Sequence, residues 1–145
     1  GELAKRIAST SRREQITLQS ARSIAEYFME QLRHEPQEHL MLAMFDNKSM
    51  LIGEKLLSTG TSNAALISAR DIYRTALQYQ AAYVVVLHNH PSGNPEPSRE
   101  DILVTRKIKA CGELLDILLM DHIIIGDNRY FSFREQDILF EKGRD

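Results

Sequence analysis

The chain has 145 residues, 26% of them charged and 43% hydrophobic, with a formal net charge of -2. That is the composition of one soluble globular domain with room for a sizeable core, and the charge leaves no basic footprint for nucleic acid. No apolar run approaches the length of a transmembrane helix, no signal peptide is evident, and a single cysteine, Cys111, excludes an internal disulfide and suits a reducing, cytoplasmic setting.

Residues 1–19 read as a helical and linker segment, with 2–8 as a short helix or the tail of something upstream and 9–17 as polar linker. The abrupt opening GELAKRI suits a fragment, and the domain proper is expected over 20–145. Ser20 is placed to cap a helix over 21–32, in which Ile24, Phe28 and Leu32 recur at helical spacing and would pack on a sheet. Residues 34–39 spell HEPQEH. A zincin needs HExxH on one continuous helix so that two imidazoles share a face. Here Glu38 stands where the second histidine belongs and Pro36 breaks the helix, so that reading is excluded. Glu38 instead opens an apolar strand over 39–45, which turns at Asp46-Asn47-Lys48 and returns over 50–58 as a hairpin. A polar turn over 60–63 and a short extended piece at 66–67 follow. Ser68 and Asp71 cap a helix over 69–80 with Ile72, Ala76 and Tyr79 as its apolar face. That cap accounts for Asp71, which is left out of any site.

The informative stretch is YVVVLHNHPSGNPEPSRED, residues 83–101. Its apolar, β-branched start reads as a buried strand that delivers His88 and His90. Side chains alternate along a strand, so both imidazoles project one way and Asn89 the other. A loop with three prolines follows, and then Ser98 stands at a helix N-cap with Asp101 in the first turn. Taken singly, Ser98 and Asp101 are a capping pair and each histidine a loop residue. Taken together, two imidazoles at a strand end and a carboxylate from the next helix make three metal ligands. They leave one tetrahedral position open, as in a catalytic zinc site. The helix is expected to run to about residue 114 with Ile102, Leu103, Ile108 and Cys111 inward, weakened by Gly112 near its end. Residues 115–126 read as one or two buried strands with a break near Asp121, followed by a turn at 126–128 and a return strand over 130–133. Asp121-His122 reads as a hydrogen-bonded pair anchoring that strand. The alternative is that it orients a ligand histidine. The layout predicts an α/β (α+β) domain with a mixed sheet between helices.

The pattern H-x-H, seven residues, S-x-x-D behind an apolar strand resembles the JAMM motif of the JAB/MPN metalloprotease family. The longer string HNHPSGNPEPSREDI, with DHIII after it, is similar to the bacterial RadC branch of that family, and the resemblance covers nearly the whole chain. It implies a curved mixed sheet flanked by helices, a cytidine-deaminase-like architecture with the metal at the sheet's edge. It implies Zn2+ on His88, His90 and Asp101, and Glu38, at the start of the first core strand, as general base, with Glu35 as its rival. It implies Ser98 as the donor to an oxyanion. The reaction would be hydrolysis of a peptide or isopeptide amide by metal-activated water, on an unidentified peptide or protein substrate, with no membrane involved. Ser132 in YFSF resembles a recurring serine of the branch that brings no role with it. A helix-hairpin-helix DNA-binding segment usually precedes this region in the branch, and these 145 residues do not contain it. The alternative function is a non-catalytic, DNA-associated accessory module with a structural metal, for which no residue here speaks. A zinc deaminase would need paired cysteines, and an HNH nuclease spreads its residues over a longer unit.

Overall fold

A computed structural model describes residues 20–60 and 67–140. The expectations for 1–19, most of the turn over 60–63 and residue 66 lie outside those residues. Helix α1, Ala21–Leu32, begins where the Ser20 hydroxyl oxygen accepts the Ser23 N–H, and it buries Ile24, Ala25, Phe28 and Leu32. Strands β1, Glu38–Phe45, and β2, Leu51–Gly60, form the expected antiparallel hairpin. The Asp46 carboxylate fastens its turn by accepting from Lys48 N and Met50 N. Helix α2, Ala69–Gln78, leads into strand β3, Tyr83–Asn89, and helix α3, Arg99–Leu115, leads into strand β4, Leu118–Ile125. A short strand β5, Tyr130–Ser132, completes the sheet.

The sheet order is β2-β1-β3-β4-β5, and only β3 and β4 run parallel, joined by α3 as a crossover. The sheet is therefore mixed and lies between helices, as expected. Helix α1 packs with Met41, Ala43, Phe45, Val85, Leu87, Ile123 and Ile125 on one face. Helices α2 and α3 pack with Leu40, Leu42, Met44, Val84 and Val86 on the other. Both faces of β3 are covered, which is why its sequence is continuously apolar instead of alternating.

Three details differ from the sequence reading. The helix over 69–80 stops at Gln78, so Tyr79 leaves the buried stripe, and the inward set is Ile72, Tyr73, Thr75 and Ala76. In α3 the buried positions are Asp101, Thr105, Ile108 and Gly112, spaced four, three and four apart, while Leu103 lies off that stripe and is exposed. Gly112 serves packing: the Tyr73 hydroxyl occupies the space a Cβ would need. The expected break near Asp121 is a bulge within one strand, since Val84 pairs Leu119 and Val85 pairs Asp121, leaving Met120 unmatched. The bulge inverts the alternation. Leu119 faces α2 and α3 while Ile123 faces α1, and His122 is thereby turned toward α3. Among the described residues no helix is long and apolar enough to cross a membrane.

Candidate metal centre

The carboxyl end of β3 carries His88 and His90 on the face covered by α3. These histidines stand at the end of the central strand and not along a side strand of the sheet. Prolines and the turn at Gly93 return the chain so that α3 starts beside the two rings, capped reciprocally. The Ser98 hydroxyl oxygen accepts Asp101 N–H at 3.0 Å, and Asp101 Oδ2 accepts Ser98 N–H at 2.9 Å. The cap holds the Asp101 carboxylate in place and buried, with Oδ2 3.3 Å from His90 Nε2 and Oδ1 3.5 Å from His88 Nε2. The two Nε2 atoms are 3.1 Å apart. Glu38 enters from the first residue of β1, its Oε1 4.0 Å from His88 Nε2. Glu38, His88 and His90 offer ligand atoms all within 4.8 Å of one another, a group that could hold a metal ion. Glu35 is engaged elsewhere, its Oε2 3.1 Å from His39 Nε2. A cleft of about 610 Å³ opens over this cluster, lined by Pro36, Glu38, Gly60, His90, Ser98 and Asp101 among others.

The donor chemistry fits a cation. The Nδ1 atom of His90 lies 3.0 Å from the Asn94 carbonyl, which only accepts, so that nitrogen carries hydrogen and Nε2 of the neutral ring presents its lone pair. In a tetrahedral shell with bonds of about 2.0–2.1 Å, neighbouring ligand atoms stand roughly 3.3–3.4 Å apart. The two ring nitrogens stand 3.1 Å apart, and each has an Asp101 oxygen near that spacing, Oδ2 at 3.3 Å from His90 and Oδ1 at 3.5 Å from His88.

Electrostatics follow from burial and neighbours. Burial pushes His88 down to about 4, against a partial pull upward from Asp101, so the ring is neutral near pH 7. Burial also lowers His90, but the Asp101 hydrogen bond, the Asn94 carbonyl and the charges of Asp101 and Glu38 outweigh it and raise the ring overall. Burial disfavours a charged Asp101, yet the hydrogen bonds from His90 and Ser98 N–H and the nearby imidazoles hold its carboxyl well below the usual range. Burial raises Glu38, with Asp101 adding to the effect and His90 opposing it, which makes it a better proton acceptor.

Behind the cluster lie five residues that hold it in place: Asn89, Thr105, Asp121, His122 and Ser132. Asn89, read only as pointing away, reaches the α1 side and clamps the approach to β1. Its Oδ1 accepts His39 N–H at 2.6 Å, and its Nδ2 donates to the carbonyls of Gln37 and Glu35. Glu38 is held between two of those anchors. The Nε2 atom of His122 lies 2.8 Å from His88 Nδ1, and Thr105 Oγ1 lies 2.5 Å from His122 Nδ1. Thr105 follows Asp101 by four residues on one helix face, the spacing that sets their side chains side by side. The Asp121-His122 pair divides its labour. Asp121 is the anchor, accepting from His122 N, Arg134 N and the Ser132 hydroxyl, while His122 is the residue that contacts His88. Ser132 thereby gains a place, bonded to a carboxyl that burial pushes up to about 6.

Residues 18–138 match the family profile described as RadC-like JAB domain. The chain is 41% identical over 138 residues to a UPF0758 protein of Clostridium perfringens, covering 95% of this chain and 60% of that relative. It is 40% identical to a UPF0758 protein of Clostridium novyi over 139 residues, covering 96% of this chain and 61% of the relative. A UPF0758 protein of a Geobacillus species is 38% identical over 135 residues, covering 93% and 60%. The chain thus spans about 60% of the length of these relatives.

Proposed function

Because the chain belongs to the RadC-like JAB domain family, we propose that it is a zinc-dependent hydrolase of peptide or isopeptide bonds. The observation that carries this reading is the convergence of His88 Nε2, His90 Nε2 and the Asp101 carboxylate within 3.5 Å of one another's donor atoms, with the Glu38 carboxylate beside them at the floor of an open cleft. His88, His90 and Asp101 would hold the ion. When bound, zinc supplies an acidified water and a polarised carbonyl. Glu38 stands outside bonding distance of His88 Nε2 at 4.0 Å, where a carboxylate can take a proton from the attacking water and pass it to the leaving amine. Ser98 lies at the cleft wall with its oxygen accepting the cap bond, which leaves the hydroxyl hydrogen to stabilise the developing oxyanion. The substrate would be a peptide or protein, met in the cytoplasm.

The test is hydrolysis by zinc-loaded protein of a panel of peptide and isopeptide substrates, set against Glu38→Gln. The variant is expected to keep zinc, lose turnover and retain bound substrate that can be recovered and identified. Cleavage at an unaltered rate by Glu38→Gln would remove Glu38 from the mechanism. Zinc binding without cleavage of any substrate would favour a structural metal.

A further inference from the structure

Resting on the metal reading above, we propose that Thr105 and His122 are positioning residues that fix His88 in the one tautomer able to bind a metal through Nε2. The direction of each hydrogen bond can be worked out from one end. Thr105 has a single hydroxyl hydrogen, and its oxygen lies 2.6 Å from the Asp101 main-chain carbonyl, which can only accept. That hydrogen is therefore spent on the carbonyl. The contact of 2.5 Å between Thr105 Oγ1 and His122 Nδ1 then needs its hydrogen from the ring, so His122 is the Nδ1–H tautomer. Its Nε2 is left with a lone pair, aimed at His88 Nδ1 at 2.8 Å. His88 Nδ1 must carry the hydrogen, and His88 Nε2 is bare where it faces His90 and Asp101.

The relay is closed to water. Thr105 and His122 are wholly buried, and His88 and Asp101 nearly so. Its geometry is held from both sides: the His122 ring stacks on Phe133 at 4.8 Å and within 4° of parallel, and the bulge at Met120 sets the strand's facing. His90 obtains the same tautomer from the Asn94 carbonyl in one step. His88 obtains it from a carbonyl three hydrogen bonds away, and that carbonyl belongs to Asp101, whose carboxylate completes the site. The opposite polarity, with Thr105 donating to His122, would put a hydrogen on His88 Nε2 and close the site to a cation. A buried partner of this kind is worth about 10- to 100-fold in metal affinity.

The experiment measures zinc affinity by competition with a chelator, imidazole tautomers by long-range 15N–1H spectra, and fold by circular dichroism. In the zinc-loaded protein, His88 and His122 are both expected as Nδ1–H tautomers. His122→Leu should weaken zinc by about 10- to 100-fold with the fold kept. His122→Gln should recover most of that loss, because its amide can accept from His88 and donate to Thr105. Thr105→Val, nearly the same shape, should also weaken zinc, and it decides the matter if His122→Leu does not fold. Finding His122 as the Nε2–H tautomer, or unaltered affinity in both folded variants, overturns the relay while leaving the metal site standing. Failure of the unaltered protein to bind zinc overturns the metal reading and the relay with it.

Discussion

Replacing Asn89 with alanine should loosen the segment that carries Glu38 while sparing the metal ligands. The antiparallel ladder between β1 and β3 starts at Leu40 and His88, so residues 35–39 are tied to β3 by the Asn89 carboxamide instead of by main-chain pairing. Asn89 is 1% exposed, and its removal leaves the His39 N–H without its acceptor and the carbonyls of Gln37 and Glu35 without their donor. A part-buried donor left unsatisfied costs about 1 kcal/mol, which raises local opening roughly 5-fold. Amide hydrogen exchange reads this directly. The His39 amide should exchange faster by that factor, while the amides of Val85 and Val86 in the strand interior stay protected. Zinc affinity should hold, because both imidazoles and the Asp101 cap are untouched. Turnover of any substrate found should fall by about 100-fold, the cost of a general base displaced by roughly 1 Å. A folded Asn89→Ala variant with unchanged exchange at His39 would refute the clamp.

Two further perturbations test the surroundings of the site. The folded value of about 4 for His88 lies below the ordinary 6.5, so the unfolded chain takes the proton first; metal-free stability is full above about pH 6.5 and falls toward pH 4, by about 3 kcal/mol for this group. Asp121, at about 6 against an ordinary 3.8, has the opposite sign: the folded protein takes the proton first as pH falls through 6, and this offsets the loss. Asp121→Asn removes the offset, so its denaturant midpoint should fall more steeply than that of the unaltered protein between pH 6 and 4; equal slopes would contradict the assignment. At Gly126, an added Cβ would strike the Gly93 carbonyl and come within 2.9 Å of Pro95 Cδ, pushing back the loop whose Asn94 carbonyl orients His90. Gly126→Ala should therefore cost about 1–3 kcal/mol and weaken zinc as well, and an unaltered midpoint with unaltered affinity would count against that docking.

The frame of the domain was legible because its signals are local. Ser20, Ser68 and Ser98 are all N-caps in the structure, and the unbroken apolar run into His88 marks the central strand. The juxtaposition of His88, His90 and Asp101 was legible because strand alternation and an N-cap fix three directions within fourteen residues. What was less legible depends on register. His122 reaches His88 only because the bulge at Met120 inverts the facing of β4, and strict alternation from Leu119 would have turned it toward α1. The placement of Asn89 on the far face was clear, but its partners at 35–39 lie some fifty residues away and became visible only when β1 and β3 paired. Tyr79 and Leu103 are apolar residues near a buried stripe, and one turn's phase or an early helix end put them outside it.

Zinc K-edge X-ray absorption on the loaded protein bears most directly on whether one ion sits between two imidazoles and a carboxylate. The expected result is a four-coordinate shell of two imidazole nitrogens and oxygen donors at about 2.0–2.1 Å, with one zinc per chain and no sulfur. A shell without imidazole, or a protein that retains no zinc, would contradict it.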